Sequence, residues 1–509
     1  MSSAIVVGAG GGGLAAALEL ASSGFEVTLL EGHIYPGGCA GTFSHQNYLF
    51  DVGATLAGGF REGGPMNLIG KRYGIEWEGL EENVGMEIHL PGQHPIRRWT
   101  NPEAWKEERL KHFGPDGEPF WKWQEQTADL LWKLVLEHPP WPPQNFQDFS
   151  NLLQIIGRQI GFIFKNHGAR QVQQILTDSV ISLRSRMKNV PELMRKFLDA
   201  QLLIAAQTTS RHVNSLYSAA ALDLTRQGVV QVRGGMGGIA QKMAEALEQV
   251  NARILYRREV TELVWGKGRV RGVLTRRGER FDSEITVLNL TNANVFRLLV
   301  NTPYARSIKD SPPKDGLGAF MIYAGVEDSA LVEFDTRHHQ IVQKEPLGNG
   351  NSVFLSISPS WDPTRAPKNH RALTLSTHVP LRKWWRLYKE DSTEYEKQKQ
   401  LMMDRTLDTA SSVIPHLRDA ARVILPGTPS SFEHFTKREM GWVGGFPQTH
   451  LFRNQGPSIA PSLWMVGDSI FPGQSFPAVS LGGVRVGMQI KQKLGIKNFS
   501  QEKRTSNQY

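Results

Sequence analysis

Gly8, Gly10 and Gly13 stand at G-x-G-x-x-G spacing directly after the apolar run Ala4-Ile5-Val6-Val7, and a carboxylate, Glu31, closes the next apolar stretch eighteen residues after Gly13. The chemistry open to such a set is the holding of a dinucleotide. A backbone that turns sharply and approaches a pyrophosphate can carry no Cβ at the first two glycines, and the third lets the following helix lie close on a sheet. A helix starting there aims its free N–H groups and its positive dipole end at the phosphates, so no lysine is needed. Glu31 lies near the roughly 20-residue offset at which a carboxylate accepts hydrogen bonds from ribose hydroxyls. Glycine-rich loops also occur as plain turns. Strand, helix, second strand and acid in register decide here for a dinucleotide cradle.

Three further segments must build around that cradle. After Glu31 comes a loop with Pro36, Gly37 and Gly38, whose glycine pair suits another close backbone approach. Residues 228–249 read as a strand, a glycine turn from Gly234 to Gly238 and a helix with Ile239, Met243, Ala246 and Leu247 on one face, and residues 252–265 read as the next strand. The glycine turn is G-G-x-G-G and offers no second dinucleotide site, so a resident nicotinamide cofactor is not expected. Residues 462–490 read as a buried strand over 463–466, a Gly467-Asp468 turn, a proline-glycine loop around Gly473 and a helix from about Val479.

These residues resemble the flavin-dependent carotenoid desaturase and carotene isomerase family. The resemblance begins in residues 5–59, where Pro36-Gly37-Gly38 matches the family's P-G-G doublet and Phe50-Asp51-Val52-Gly53 its F-D-x-G element. Many members follow the doublet with arginine, whereas this chain has Cys39, which is more like the isomerase-like branch with a small residue there. The closest likeness is to the cyanobacterial isomerase-like clade that also contains the C-3′,4′ desaturase. The resemblance implies FAD as cofactor. It implies that Val260 brackets the adenine, although a buried strand residue is an equal reading of the pattern. It also implies that Asp468 accepts from the ribityl chain, or else merely caps its turn, and that the helix at Val479 faces the flavin N1 and O2 edge, where reduction places negative charge. Gly37, Gly38 and Cys39 would pack near the flavin, Cys39 as a small residue before a redox thiol. Thr55 and the segment 441–447 are candidates near the ring, and Trp442 and Phe446 are either tunnel lining or core. No pattern nominates a catalytic side chain.

The fold class expected is α/β: an FAD-binding Rossmann-type, glutathione reductase-like domain made of residues 1–74, 226–300 and 456–495. It is interleaved with an α+β substrate domain made of residues 75–225 and 301–455, which carries membrane-associating helices. A flexible tail is expected over 496–509. A length of 509 residues gives a prior of about three domains, with two large interleaved ones equally compatible. No apolar run is long enough for a transmembrane helix, and no Lys or Arg precedes Arg61, so neither a spanning segment nor a signal peptide is expected. Cys39 is the single cysteine, which excludes an internal disulfide and fits a reducing compartment. The histidines show no metal spacing, no metal is expected, and the His338-His339 pair reads as a solvated loop.

The net charge of +9 attracts anions, either nucleic acid or acidic headgroups. No nucleic-acid motif accompanies it, and lipid is favoured. Six of the 13 tryptophans, at Trp99, Trp105, Trp121, Trp123, Trp132 and Trp141, precede the stretch 151–168, where Leu152, Leu153, Ile156, Ile160, Ile163 and Phe164 recur near helical spacing beside Arg158 and Lys165. That pattern suits either a core helix or one lying in a membrane interface. Arg184, Arg186, Lys188, Arg195 and Lys196 extend a basic, Trp-bearing collar or form a solvated face. A collar is what a carotenoid demands: at something under ~0.8 kcal/mol per apolar carbon, transfer of about forty carbons into water costs tens of kcal/mol. The substrate must therefore enter from a bilayer.

The expected function is carotenoid desaturation, with hydride passing to flavin N5 and quinone or oxygen as the final acceptor. Cis-trans isomerisation on reduced flavin is the alternative. A flavin ketolase or monooxygenase, or a non-catalytic lipid carrier, stands further off. The expected location is peripheral, on the cytoplasmic side of a bacterial or thylakoid membrane.

Overall fold

A computed structural model describes residues 2–167, 169–250, 252–308, 316–445, 448–452 and 455–496, with side chains of 162–167 left aside. Phe446, the side chains of Ile163, Phe164 and Lys165, and all but the first residue of the expected tail lie outside the described residues.

The apolar runs nearest the N-terminus form a parallel sheet buried on both faces, the setting that continuous Val/Leu/Ile strands require. Ser3–Val7 pairs with Glu26–Leu30 on one side and Ile285–Leu288 on the other. The full order is Ala252–Leu255, Glu26–Leu30, Ser3–Val7, Ile285–Leu288, Leu463–Met465, Ser458–Ala460, with only the last pair antiparallel. The helix Gly11–Ala21 is buried along its whole length and packs on the closing helix Phe476–Lys493. Two glycines set that approach: a Cβ on Gly483 would fall 2.2 Å from the Gly12 carbonyl oxygen, and one on Gly487 would fall 2.6 Å from Cγ of Glu19. Close packing there carries the C-terminal segment to the first glycine turn.

The stretch expected as one strand over 252–265 is two. Arg257 takes the left-handed region at φ 58°. The chain thereby leaves the parallel sheet and starts a separate antiparallel meander of Val260–Gly266, Arg269–Thr275 and Arg280–Asp282. The closing helix also begins earlier than Val479, at Phe476, behind a Ser475 side chain that accepts from the Ala478 N–H.

A seven-stranded sheet forms the second layer, in the order Ala421–Gly427, Leu317–Glu327, His370–Pro380, Ser352–Ile357, His338–Val342, Val84–His89, Ile96–Trp99. One pair in it is parallel, His338–Val342 beside Val84–His89. One face packs on the helix Ser392–Ser411. The helices Pro102–Phe113, Glu118–Leu136 and Glu192–Ala206 enclose a third apolar core.

This corrects the reading of three of the six tryptophans. Trp105, Trp121 and Trp123 are buried in that core, with Trp105 edge-on to Trp121 and stacked on Phe197. They form no collar. Of the basic cluster, Arg186 pairs with Asp178, and Arg195 pairs with Glu192, Asp199 and Glu345, while Arg184 and Lys188 are exposed. The helix Phe146–His167 is present as the apolar spacing suggests. Among the described residues no helix is long and apolar enough to cross a membrane.

His338 and His339 are not in a solvated loop. They open a buried strand, His338–Val342, with side chains on opposite faces. His338 Nδ1 lies 2.8 Å from Ser356 Oγ and its Nε2 3.0 Å from the Gln231 amide nitrogen. Burial, aided by His339 and Arg337, pushes His338 down to about 3, and burial pushes His378 down to about 4. Both rings are therefore neutral in the folded chain near neutral pH, whereas unfolded they titrate near about 6.5. Below that value the unfolded chain takes up protons that the folded chain refuses. Stability present above pH 6.5 is then lost as pH falls toward 4, at about 1.4 kcal/mol per pH unit per histidine. Urea midpoints are expected to fall between pH 7 and pH 5, and His338→Gln to make that fall shallower. An unaltered pH slope in the variant would remove His338 from the account.

Candidate functional site

The glycine turn between Ser3–Val7 and Gly11–Ala21 is built as its chemistry requires. Gly8 sits at φ 97°, and a Cβ there would lie 2.8 Å from the Asn289 backbone oxygen. A Cβ on Gly10 would lie 2.7 Å from Asn289 Nδ2, and one on Gly13 would lie 2.0 Å from the Gly8 oxygen. Gly10 caps the helix in extended conformation without a side-chain hydrogen bond. Its first-turn N–H groups therefore lack a side-chain acceptor, and Gly8, Gly10, Gly11 and Gly12 all line one cavity. Gly13 does not line it and acts through packing.

Glu31 lines the same cavity. Its two carboxylate oxygens accept from the Ala9 and His33 N–H groups, each at 2.7 Å. The Gly32 N–H adds a third backbone donor, which leaves the carboxylate acceptor capacity beyond its backbone partners. Burial raises its pKa even though these backbone bonds oppose the shift. The Gly37 N–H donates to the Ala9 carbonyl at 2.8 Å, with Gly37 at φ 113°. A Cβ on Gly38 would come within 3.9 Å of Gly10 Cα. The second glycine pair is thus laid directly over the first turn.

Cys39, Thr55, Val260, Gly467, Asp468 and Val479 line the cavity as well. Val260 opens the meander, near Arg258, Glu259 and Arg276 on the same wall. Ser356 Oγ donates to Thr55 Oγ1 at 2.7 Å. Burial pushes the Cys39 thiol up, which favours the small packing residue over the redox thiol. Gly467 takes φ 110°, and a Cβ on it would lie 2.9 Å from Asn289 Oδ1. Val479 lies in the first turn of Phe476–Lys493. Trp442 is buried and bridges Gly318 without lining the cavity, so it is core.

Two residues escaped the sequence reading. Asn289 follows the buried strand Ile285–Leu288 and stands against Gly8, Gly10, Gly12, Gly13 and Gly467, its Nδ2 donating to the Gly8 carbonyl at 3.3 Å. A polar residue ending an apolar strand was its only signal. Arg438 lines the cavity and donates from Nη2 to Asp468 Oδ2 at 2.7 Å and from Nε to the Trp442 carbonyl at 2.7 Å. Nothing in spacing announced it.

The cavity has a volume of about 1200 Å³. Its polar end is the glycine cradle, and its other walls come from Leu130, Leu131, Val135, Ile156, Ile160 and Ile204. Uncapped helix N–H groups, an acid with open acceptor positions and glycines too crowded for a Cβ fit a dinucleotide at the polar end.

The family described as NAD(P)-binding Rossmann-like domain matches residues 6–67. Prolycopene isomerase 1, chloroplastic, of an Oncidium hybrid cultivar is 27% identical over 97% of this chain and 84% of its own. The neurosporene-forming phytoene desaturase of Cereibacter sphaeroides is 22% identical over 94% of this chain and 92% of its own. Among solved structures, cyclohexylamine oxidase from Brevibacterium oxydans superposes with a TM-score of 0.58 at 15% identity, covering 97% of this chain and 99% of that one. Fold and site define a class, a flavin-dependent enzyme on the FAD-binding Rossmann fold, with FAD as cofactor. Within it, the two relatives given above, each matched along nearly the whole chain, are an isomerase and a desaturase of the carotenoid family that the motifs resemble.

Proposed function

We propose that this chain is a carotenoid desaturase, introducing a double bond into an acyclic or monocyclic carotenoid and passing the electrons to quinone or oxygen. The observation that carries this is one continuous cavity joining a dinucleotide cradle to long apolar walls. When bound, FAD supplies a two-electron acceptor for hydride. The residues described here hold and orient: the glycine turn and Glu31 seat the nucleotide, while Asp468 and the first turn of Phe476–Lys493 stand beside that turn, with Gly467 against Gly12 and Phe476 against Gly11. Leu130, Leu131 and Ile156 align an apolar chain and exclude water. The neighbouring carbon gives up its hydrogen as a proton, which the quinone or oxygen takes up with the electrons, so that two hydrogens pass from carotenoid to acceptor overall.

Isomerisation is the second reading. It is favoured by the higher identity to prolycopene isomerase, 27% against 22% for the phytoene desaturase. One experiment separates the two. Flavin-loaded protein is incubated with candidate carotenoids in liposomes with a quinone, and product mass and absorption are read. Loss of two hydrogens with a red shift supports desaturation; unchanged mass with altered retention supports isomerisation. No product from any carotenoid under either redox state would overturn both.

The same reading places the protein peripherally on a membrane, on the cytoplasmic side in a bacterium or on a thylakoid. Its support is the pair of helices Phe146–His167 and Ala169–Asp178, which wall the cavity with Ile156, Ile160 and Ile175 while exposing Phe146, Phe149, Leu153 and Leu176 to solvent. Replacing Phe146, Phe149 and Leu153 by Gln is expected to weaken partitioning onto anionic vesicles at least about tenfold, about 1.4 kcal/mol, with flavin content unaltered. Sedimentation with vesicles measures this, and equal binding by the variant would sink the assignment of these helices.

A further inference from the structure

We propose that Glu87, His89 and His339 form a divalent-cation site, of the kind that takes Zn²⁺, clipping together the two long segments that build the seven-stranded sheet. The site lies away from the described cavity, none of whose lining residues belongs to it. It stands independently of the proposed function.

The register creates it. His338–Val342 runs parallel to Val84–His89, with His339 opposite Glu87 and Ile341 opposite His89. Side chains two residues apart on a strand share a face, and opposite residues in a parallel pair do too. His339, Glu87 and His89 therefore project together, while Met86 on the other face of the strand lines the cavity. His89 Nε2 lies 3.2 Å from His339 Nδ1, His339 Nδ1 lies 3.6 Å from Glu87 Oε2, and His89 Nε2 lies 3.9 Å from the same oxygen. A tetrahedral zinc ion with bonds of about 2.0–2.1 Å holds its ligands about 3.3–3.4 Å apart. The three atoms are thus close to one face of that tetrahedron before any ion enters.

The outer partners are in place as well. His339 Nε2 lies 3.0 Å from the Thr336 carbonyl, so that nitrogen carries the proton and Nδ1 presents a lone pair toward the cluster. Arg97 Nε donates to Glu87 Oε1 at 3.2 Å, which leaves Oε2 for the ion. The Phe334 ring stands edge-on to His339 and supplies an apolar wall. His339 is fully buried, but the His89 and Glu87 side chains keep 17% and 12% of their surface exposed, enough for a water to take the fourth position. In the metal-free chain His89 Nε2–H donates to His339 Nδ1. Binding requires only that His89 move its proton to Nδ1. Two imidazoles select a borderline ion over Ca²⁺ or Mg²⁺, which favour all-oxygen shells. His89 and His339 are 250 positions apart, so an ion bridging them closes a long loop.

The test uses the full-length, FAD-loaded protein after chelator treatment. Co²⁺ titration is expected to give one ion per chain, with tetrahedral d–d absorption to the red of the flavin band. Zn²⁺, followed by competition with a chromophoric chelator, is expected to displace it and to raise the thermal midpoint by several degrees. Because His339 is buried and its replacement risks misfolding, the diagnostic variants are His89→Gln and Glu87→Gln at the partly exposed ligands. Each is expected to lose at least a hundredfold in affinity, with the Zn²⁺ effect on the thermal midpoint gone and the metal-free midpoint close to wild type. Absence of the cobalt spectrum in the wild type, or equal affinity in His89→Gln, would overturn the proposal.

Discussion

Gly13→Ala is expected to yield protein that folds poorly around its first helix and purifies with at most a tenth of the wild-type flavin. The added Cβ would stand 2.0 Å from the Gly8 carbonyl oxygen and 3.0 Å from Asn289 Cβ. Neither neighbour can give way. Gly8 is held by its N–H to the Leu30 carbonyl at 2.8 Å, and Asn289 by its N–H to the Val7 carbonyl at 2.8 Å, both bonds at strand ends in the parallel sheet. The helix must instead lift, at a cost of about 1–3 kcal/mol or more for overpacking, and its N-terminal N–H groups move away from the phosphates. Gly157→Ala is the control: nothing stands within 4 Å of that position in the helix Phe146–His167, so full flavin content is expected. Flavin absorbance per chain after gel filtration measures both. Full loading of Gly13→Ala would mean that the phosphates sit elsewhere.

That glycine was legible in the sequence because its task is local, fixed by a spacing that has one geometric solution. Glu31, Gly37 and Gly467 were legible for a different reason: each sits at the end of a strand or in a glycine loop whose motif is contiguous in sequence, even though its partners, Ala9 and Asn289, are not. Asn289 and Arg438 were not legible, since their partners are set by sheet order: Asn289 reaches Gly8 across 281 positions and Arg438 reaches Asp468 across 30. Trp105 and Trp121 were misread for a related reason. A cluster of tryptophans reports apolar surface but not whether protein or lipid covers it, and here Phe197 covers it. His338 and His339 failed through composition, because two polar residues beside Arg337 look solvated until the strands on either side are known. The segment after Leu255 broke where Arg257 turned left-handed, a conformation that its residue type does not advertise.

Arg438→Met is expected to lower both stability and flavin affinity, and the two losses are separable. The guanidinium joins Asp468 at 2.7 Å, with side-chain exposures of 17% and 14%, and so neutralises a carboxylate in the cavity wall. Removing the cation leaves a partly buried charge without its partner, at a cost below the ~3–5 kcal/mol of a fully buried one. The thermal midpoint should fall by several degrees, and the FAD dissociation constant should rise at least tenfold as the freed carboxylate swings from its place beside Gly467. Arg438→Lys keeps the charge but cannot both pair with Asp468 and donate to the Trp442 carbonyl, so an intermediate loss is expected. The double variant Arg438→Met with Asp468→Asn decides the cause. Replacing both partners removes the uncompensated charge, and most of the lost stability should return. Flavin affinity should stay low, since Asn keeps only one of the two acceptor oxygens and turns the other position into a donor. A double variant as unstable as the single one would place the loss in the bond to the Trp442 carbonyl and the packing around it, not in Asp468.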